Sequence, residues 1–444
     1  MRLFNPLLIL TGVLMVIIPL FPKFPLMSVP STYVAIRIED LLLLTTSIFL
    51  IPLIIKRRKE LLKDSLFLAI LLFIFAGFVS TLSGIFVTKS VLPHLAILHY
   101  FRRIEYVIPF FVSYFAISNI KQVKVLMGMG LVVGVLVVLY GAGQIYFNFP
   151  VISTSNEEFS KGLILTLTEN ARPNSTFAGH FDLAAYLAFL IPIVAVWSLF
   201  VRSYLKPVFA TLFISYYWML LKTQSQVSFI AYLVSVSLVF LLLKKFKLLF
   251  VILVISFTGI ILFGGLSDRV LATLKVGPEL IKKIVDLPVV YAQNATSSAT
   301  ASAVLEPTEP HELGVYRSLG IRFDQEWPRA IRAFIKNPLV GTGYSSITLA
   351  TDNDYLRSLG EMGLLGFLSL SLIFFVMIKR IIKTLKSTKQ IHIKVFMIAS
   401  LGIIASFLVN ATFIDVFEAS KVAILFWLLM GITLSIVKMD GKNA

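Results

Sequence analysis

Residues 66–86 read LFLAILLFIFAGFVSTLSGIF, an apolar run without a single charged side chain. A helix needs about 20 such residues to cross the hydrocarbon core of a bilayer. Comparable runs recur along the chain near 5–22, 39–55, 66–86, 104–120, 123–147, 183–201, 207–222, 226–243, 247–264, 361–378, 394–411 and 421–437. The sequence therefore predicts an all-α, polytopic integral membrane protein with about 12 transmembrane helices.

The composition of the 444 residues argues against a soluble protein and excludes a disordered one. Hydrophobic residues make up 58% of the chain and charged residues 14%, whereas soluble domains carry about 25% charged residues. The chain has no cysteine, and its 5 histidines are widely separated. This pattern excludes disulfides, cysteine-ligated zinc and thiol nucleophiles, and we expect neither a metal site nor a cofactor.

The distribution of basic residues predicts the orientation in the membrane. The formal net charge of +17 would indicate a nucleic-acid partner in a soluble protein. With the N-terminus in the cytoplasm, 21 Lys and Arg residues fall in cytoplasmic segments and 7 in short outer loops. This asymmetry follows the positive-inside rule. We therefore expect cytoplasmic N- and C-termini, contact with membrane lipid, and no nucleic-acid partner.

Two long polar segments, 148–182 and 265–360, fall on the predicted outer side and divide the chain. Transmembrane helices 1–5 occupy residues 1–147, and 148–182 form the first extracytoplasmic loop. Helices 6–9 follow, and the larger extracytoplasmic loop, 265–360, lies between the ninth and tenth spans. Residues 361–444 hold helices 10–12.

The larger outer loop contains a stretch, residues 324–343, that is predicted to form one short helix followed by a helix stop. One face of this segment is apolar, and another is basic and consists of Arg329, Arg332 and Lys336. Such a helix is expected to lie in the membrane interface with its basic stripe turned toward headgroups. The stripe is either a solvated or phospholipid-facing surface, or a clamp for a lipid-linked phosphate.

A second polar face is predicted at the mouth of the tenth span. Asn353, Arg357 and Glu361 are spaced four residues apart and share one side of a helix. One interpretation is an ion pair between Arg357 and Glu361, which on an exposed helix contributes only about 0.3 kcal/mol. The other is a functional site, because charges at a span mouth usually face protein or a water-filled cavity.

Arginines also lie near the outer ends of other spans. Arg172 stands close before the sixth span, where a lone guanidinium predicts an anionic partner. His180, next to Asp182, is either a base with its orienting carboxylate or a solvated loop histidine. Arg103, just before the fourth predicted span, either forms an ion pair with its sequence neighbours or reaches a phosphate from the outer side.

Together these stretches resemble the O-antigen ligase and O-antigen polymerase family of bacterial envelope proteins. The resemblance is carried, in chain order, by Arg172-Pro-Asn-Ser-Thr-Phe, Leu183-Ala-Ala-Tyr-Leu187, Arg322, Trp327, Asn337-Pro-Leu-Val-Gly-Thr-Gly343, Asp352-Asn-Asp-Tyr-Leu356 and Glu361-x-Gly363-x-x-Gly366. It covers 172–366, and the flanking spans match mainly in hydropathy. Ligases of the family carry His where this chain has Asp352, and polymerase-like members often have Asp there.

The resemblance implies a metal-independent glycosyltransferase that uses an undecaprenyl-pyrophosphate-linked oligosaccharide. It would transfer or polymerise the glycan onto a glycan, lipid or protein acceptor hydroxyl at the outer face of the cytoplasmic (inner) membrane of a bacterium. A chain-length regulator would be a further partner. The expected catalytic residues are Asp352, His180 and Glu361. The expected pyrophosphate- and substrate-binding residues are Arg172, Arg322, Arg329, Arg332, Asn353, Arg357 and Arg103.

The competing interpretation is a polytopic secondary transporter or lipid-glycan flippase. It would require paired ionisable residues near the bilayer midplane and repeat-like halves with broken helices. The sequence instead has few charges within its spans and concentrates its polar residues in two outer loops. The pattern therefore favours the transferase.

Overall fold

The computed structural model describes residues 5–28, 35–151, 165–168, 171–262, 265–285, 318–347 and 350–443. Each predicted apolar run overlaps a long helix. The helices are α1 (Pro6–Leu20), α2 (Ile38–Lys56), α3 (Ser65–Leu82), α4 (Pro93–Ala116), α5 (Ile120–Tyr146), α6 (His180–Phe200), α7 (Lys206–Lys222), α8 (Gln226–Leu242), α9 (Phe246–Leu262), α10 (Gly265–Val285), α11 (Trp327–Lys336), α12 (Asp354–Ser387), α13 (Ile391–Asn410) and α14 (Ser420–Asn443).

The remaining elements are short. Single helical turns lie at Arg58–Leu61, Ser83–Val87, Ser203–Leu205 and Ile321–Glu326. Two antiparallel hairpins pair β1 (Pro25–Ser28) with β2 (Ala35–Arg37) and β3 (Pro150–Val151) with β4 (Leu165–Thr166). The described part of the chain is thus mostly helical.

Seven of the described helices are long and apolar enough to cross a membrane, or eight if the bent pair α9 and α10 is one span. The seven are α2, α3 with its following turn, α5, α6, α12, α13 and α14. The all-α, polytopic character of the protein is confirmed, whereas the count of twelve spans and the orientation stay predictions. A central part of the predicted larger loop, residues 286–317, lies outside the described residues.

Helices α6, α13 and α14 form the core of the bundle. Their apolar stretches are 78%, 72% and 83% buried, compared with 22% for α2 at the periphery. Gly431 lets α14 approach α4 closely, because a Cβ at this position would clash with the backbone of Phe110. The core helices are thus packed on all sides, and α2 is left facing the surroundings.

One end of the bundle, which we call the site end, gathers the C-terminal ends of α1 and α13 and the N-terminal ends of α2, α4, α6, α12 and α14. Ser420 Oγ donates to Glu39 Oε1 at 2.7 Å, which joins α14 to α2. Asp354 N donates to Ala411 O at 3.0 Å, which joins α12 to the end of α13. The polar segments singled out in the sequence therefore have a common location.

Helix α12 is broken near its start, at Gly363. Its φ and ψ of 65° and −168° lie in a region open essentially only to glycine. The segment 338–343, which follows α11, fills the break: Leu364 N donates to Pro338 O at 2.8 Å. A Cβ on Gly363 would clash with the backbone of this segment. Gly363 and the glycines of the segment 338–343 thus allow this segment to insert into the break in α12.

The break also turns a carbonyl toward other elements. The Glu361 carbonyl accepts hydrogen bonds from Gly343 N at 2.9 Å and from Ser80 Oγ at 2.5 Å. Gly343 has a φ of 93° and lies directly against the α3 backbone. Because backbone groups released within a membrane need new partners, this interlock of α3, α12 and 338–343 holds the Glu361 side chain in place.

Candidate functional site

Arg322 lies in the turn before α11 and is largely buried. Its Nη2 donates to Asp352 Oδ2 at 2.5 Å, and its Nη1 donates to Ser318 Oγ at 2.5 Å. Its buried Nε has no hydrogen-bond partner among the described residues. Nη1 also donates to Ser318 O at 3.2 Å. The guanidinium is therefore fixed by three hydrogen bonds, and its Nε is left for a further group.

Asp352 lies immediately before α12, in a left-handed backbone conformation with φ of 48°. Burial raises the pKa of its carboxyl above the usual aspartate value, and Asp415 raises it further, although Arg322 acts in the opposite direction. Its side chain is 30% exposed. The ionised carboxylate is thus a better proton acceptor than a free aspartate and is open to a ligand.

Three more buried polar groups lie close to Arg322 in the chain, at the start of α11. Glu326 Oε2, Trp327 Nε1 and Arg329 Nη1 have no hydrogen-bond partner within the described part of the chain. Burial, followed by the charge of Asp352, raises the pKa of Glu326 to about 7. Buried polar groups are normally paired in proteins, so this concentration of unpaired groups is suited to a polar ligand.

Arg357 connects the start of α12 to the connection between α13 and α14. Its Nη1 contacts Asp415 Oδ2 at 2.9 Å, and its Nε lies 3.7 Å from Glu361 Oε1 and 3.3 Å from Glu418 Oε1. The ion pair between Arg357 and Glu361 is therefore present, as one part of a larger network. With three carboxylates around it, this arginine is poorly available for a phosphate.

Arg103 belongs to the same network. It forms an ion pair with Glu418 and lies 3.9 Å from Glu361 Oε2, and its Nη1 donates to Phe417 O at 2.9 Å. Its partners are thus on other elements, and the helix that carries it begins earlier than predicted, at Pro93. These residues line a cavity of about 40 Å³, which has room for a few water molecules but not for a sugar.

Asn353 and Arg332 have positions less suited to substrate binding. Asn353 is the N-cap of α12, and its side chain accepts a hydrogen bond from Leu356 N at 3.0 Å. Arg332 is exposed on α11, whereas Arg329 is half-buried beside Glu326. The basic stripe predicted on this helix is therefore divided, with Arg329 alone turned toward the Arg322 site.

Arg172 and His180 are in direct contact, with 2.8 Å between Nη1 and Nε2. A guanidinium only donates, so His180 Nε2 is the acceptor and the ring proton lies on Nδ1. Asp182 does not face this pair; its charged neighbours are Lys23, Lys421 and Arg37. The structure thus separates His180 from its predicted carboxylate and makes it a partner of Arg172.

Arg269, in the first turns of α10, links these residues to Arg322. Arg172 and Arg322 are both close enough to act on it electrostatically. Its buried Nε has no hydrogen-bond partner in the residues that the structure describes. The sequence motifs do not indicate a role for Arg269, because α10 lies in a segment that was predicted as loop and contains no recognised motif.

A second buried charged cluster lies beneath the segment 171–179. Lys421 is fully buried, and its Nζ donates to Thr176 O at 2.7 Å and Pro19 O at 3.2 Å. Glu39 and Asp182 supply negative charge nearby. The lysine thus anchors the segment that carries Arg172. The one signal of this cluster in the sequence is a lysine at the very start of an apolar helix.

Asp415 and Glu418 were also missed. Both lie in Thr412–Ala419, the connection between α13 and α14, which reads as an ordinary short loop. Asp415 Oδ2 accepts from Thr351 N at 2.9 Å and its Oδ1 from Asn353 N at 3.2 Å. Within the described ranges, no group of three or more His, Asp or Glu side chains is arranged to hold a metal ion.

Comparison with known proteins does not assign the chain to a family. No family model matches the sequence, and no curated protein matches it. The resemblance to the O-antigen ligases and polymerases therefore depends on the motifs between 172 and 366.

Proposed function

We propose that this protein is a membrane glycosyltransferase that transfers or polymerises a glycan carried on a polyprenyl diphosphate. The observation that carries the proposal is the direct contact between Arg322 and Asp352. It puts a guanidinium, the preferred partner of phosphate oxygens, beside a carboxylate with a raised pKa. Both groups are required for displacement of a diphosphate by a hydroxyl.

In this proposal the arginines stabilise the leaving group. When the bond between the anomeric carbon and the diphosphate breaks, the departing oxygen takes the electron pair and the added negative charge. Arg322 keeps one unpaired donor for this charge, and Arg172 adds a second guanidinium nearby. Donors aimed at developing charge accelerate such reactions because they are stronger in the transition state than in the ground state.

In this proposal Asp352 activates the acceptor hydroxyl. Its exposed carboxylate would take the proton of the acceptor hydroxyl as the oxygen attacks the anomeric carbon. A single displacement of this kind inverts the configuration at that carbon. His180 is less suited to be the base, because its Nε2 accepts from Arg172. Glu361 is less suited because it is buried and surrounded by arginines.

A transporter or flippase of lipid-linked glycans is the second candidate. The break in α12 at Gly363 favours it, since discontinuous helices line the binding sites of many transporters. The ionised groups next to that break, however, are paired with one another around a cavity of about 40 Å³. A cavity of that size is too small for a glycan to pass, and the paired groups around it are better explained by a role in holding the helices together.

The test is transfer by the purified protein in liposomes. The substrate is a labelled oligosaccharide on undecaprenyl diphosphate, with an acceptor glycan supplied on one side of the membrane. We expect a longer labelled product from the wild-type protein, and its loss in Arg172→Ala and Arg322→Ala with the protein still folded. Asp352→Asn should lose the rising limb of the pH–rate profile.

The matched control is Lys275→Ala, which removes an exposed cation from α10. It should leave transfer unchanged. Movement of the lipid-linked glycan across the membrane without any new glycosidic bond would reject the transferase and favour the flippase. Activity near the wild-type level in both arginine variants would reject the roles assigned to them.

A further inference from the structure

We infer that Arg269 is the residue that binds the charge appearing on the leaving diphosphate. This inference depends on the proposed function and extends it to a residue outside the recognised motifs. Arg269 would contact the released diphosphate more strongly than the intact donor.

The position of Arg269 is fixed by its helix. Gln226 Nε2, at the start of α8, donates to Thr273 Oγ1 at 2.9 Å, and Thr273 Oγ1 donates to Gln226 Oε1 at 3.0 Å. Leu266 and Ala272 on the same helix are each only 2% exposed. The first turns of α10 are thus bound to the bundle, and Arg269 is held near Arg172 and Arg322.

Three guanidinium groups repel one another unless an anion lies among them. The partners of Arg172 and Arg322 are neutral acceptors, His180 Nε2 and the oxygens of Ser318, and a single carboxylate, Asp352. The buried Nε atoms of Arg269 and Arg322 are unpaired within the described chain. Such an arrangement costs free energy in the absence of ligand, and a polyanion would relieve it.

The charge of the site can be compared with the charges of the donor substrate and of the released diphosphate. With Asp352 ionised, the three arginines and this carboxylate carry a net charge of about +2, and Glu326, with a pKa of about 7, offsets part of the charge of Arg329 near neutral pH. A glycosyl diphosphate diester carries about two negative charges. The released diphosphate carries up to three, because its terminal phosphate has a second pKa near 6.

Protonation of Asp352 adjusts the site to this change. The hydroxyl proton moves to Asp352 as the new bond from the acceptor oxygen to the anomeric carbon forms. The bond from that carbon to the diphosphate breaks, and its electron pair goes to the phosphate oxygen. A neutral Asp352 releases Arg322 from its ion pair, so three guanidinium groups then face the diphosphate. Arg269 supplies the charge that Arg172 and Arg322 alone lack.

The test compares Arg269→Gln with the control Lys275→Gln, which removes an exposed cation from the same helix. We expect Arg269→Gln to lower kcat by roughly 100-fold, as for loss of one donor to a developing charge, with KM for the donor changed less than about threefold. Inhibition by undecaprenyl diphosphate should weaken by about tenfold or more. Inhibition by undecaprenyl monophosphate should change little, and Lys275→Gln should behave as wild type.

A binding measurement keeps the inference testable without turnover. Undecaprenyl diphosphate should raise the melting temperature of the wild-type protein more than the monophosphate does, and this difference should vanish in Arg269→Gln. If that variant fails to fold, Arg269→Lys is the alternative, because it keeps the positive charge but cannot form the paired hydrogen bonds of a guanidinium. It should show a smaller difference in melting temperature between diphosphate and monophosphate.

Two further outcomes separate this inference from the proposed function. If the wild-type protein transfers glycan, Arg322→Ala abolishes transfer and Arg269→Gln is normal in every assay, the role of Arg269 is overturned and the transferase stands. If the wild-type protein neither transfers glycan nor binds the diphosphate, both are overturned.

Discussion

Arg357 Nη1 contacts Asp415 Oδ2 at 2.9 Å, and this contact joins the first turn of α12 to the connection before α14. Asp415 also accepts from the backbone N–H groups of Thr351 and Asn353. One carboxylate thus satisfies the free N–H groups ahead of the helix and fixes the arginine within it. Since Asp352 lies between these two N–H groups in the chain, its position depends on the same carboxylate.

We therefore expect Asp415→Ala to destabilise the protein by about 3–5 kcal/mol, the range found when one partner of a buried ion pair is removed. Asp415→Asn should have a smaller effect, because its amide oxygen can still accept a backbone hydrogen bond. Thermal unfolding in detergent micelles measures both. Asp268→Asn, which changes an exposed carboxylate on α10, is the control. Equal melting temperatures for Asp415→Ala and wild type would contradict the capping role.

The break in α12 gives a second prediction. Gly363→Ala should cost about 1–3 kcal/mol or more, because alanine is strained at its φ and ψ and its Cβ would collide with the segment 338–343. The matched control is Gly128→Ala in α5, where no atom lies within 4 Å of the added Cβ. There the change should be neutral or stabilising by about 0.5–1 kcal/mol. The thermal unfolding midpoints of Gly363→Ala and Gly128→Ala measure the two effects. Similar midpoints would contradict the close packing of the segment 338–343 against Gly363.

Most of the helices were predictable from the sequence, whereas α10 and the interlock were not. Apolar runs such as 66–86 indicate where a helix lies, because burial in lipid imposes continuous hydrophobicity. However, α4 begins at Pro93, ahead of its predicted run, and α10 lies in a segment predicted as loop. The pairing of Asp415 with Arg357 joins residues 58 positions apart, and nothing in local spacing indicates it. Arg269 was hidden for the same reason. The arginines near motifs were found, but their partners depend on tertiary contacts.

Lys421 gives a third prediction. Its ammonium group is fully buried and donates to two backbone carbonyls, one of them in the segment that carries Arg172. Lys421→Met should cost about 3–5 kcal/mol, because it removes a buried cation beside Glu39 and Asp182 and leaves two backbone carbonyls without their donor. Adding Glu39→Gln should recover part of that loss. A double-mutant cycle of unfolding free energies measures the coupling.

The control for this cycle is Lys121→Met, at an exposed position at the start of α5. Its effect should be within about 0.5 kcal/mol of zero. Strict additivity of Lys421→Met and Glu39→Gln would show that the two charges act independently, contrary to the prediction.

Glu326 gives a prediction on pH. Burial and the charge of Asp352 raise its pKa in the folded protein to about 7, against an ordinary value of 4.5. The folded state therefore holds the proton more tightly than the unfolded state does. The stabilisation from protonated Glu326 is fully present below about pH 4.5 and is lost as the pH rises through about 7. Replacing the carboxyl with an amide should remove this dependence.

The measurement is the difference in melting temperature between wild type and Glu326→Gln from pH 4 to pH 8. Wild type should lose stability relative to the variant across that interval, with most of the change complete near pH 7. In an Asp352→Asn background the same transition should move to lower pH, because the second largest cause of the raised pKa is gone. A difference that stays constant over the whole interval would mean that Glu326 does not titrate there. A transition that ignores Asp352→Asn would mean that the two carboxyls do not share one site.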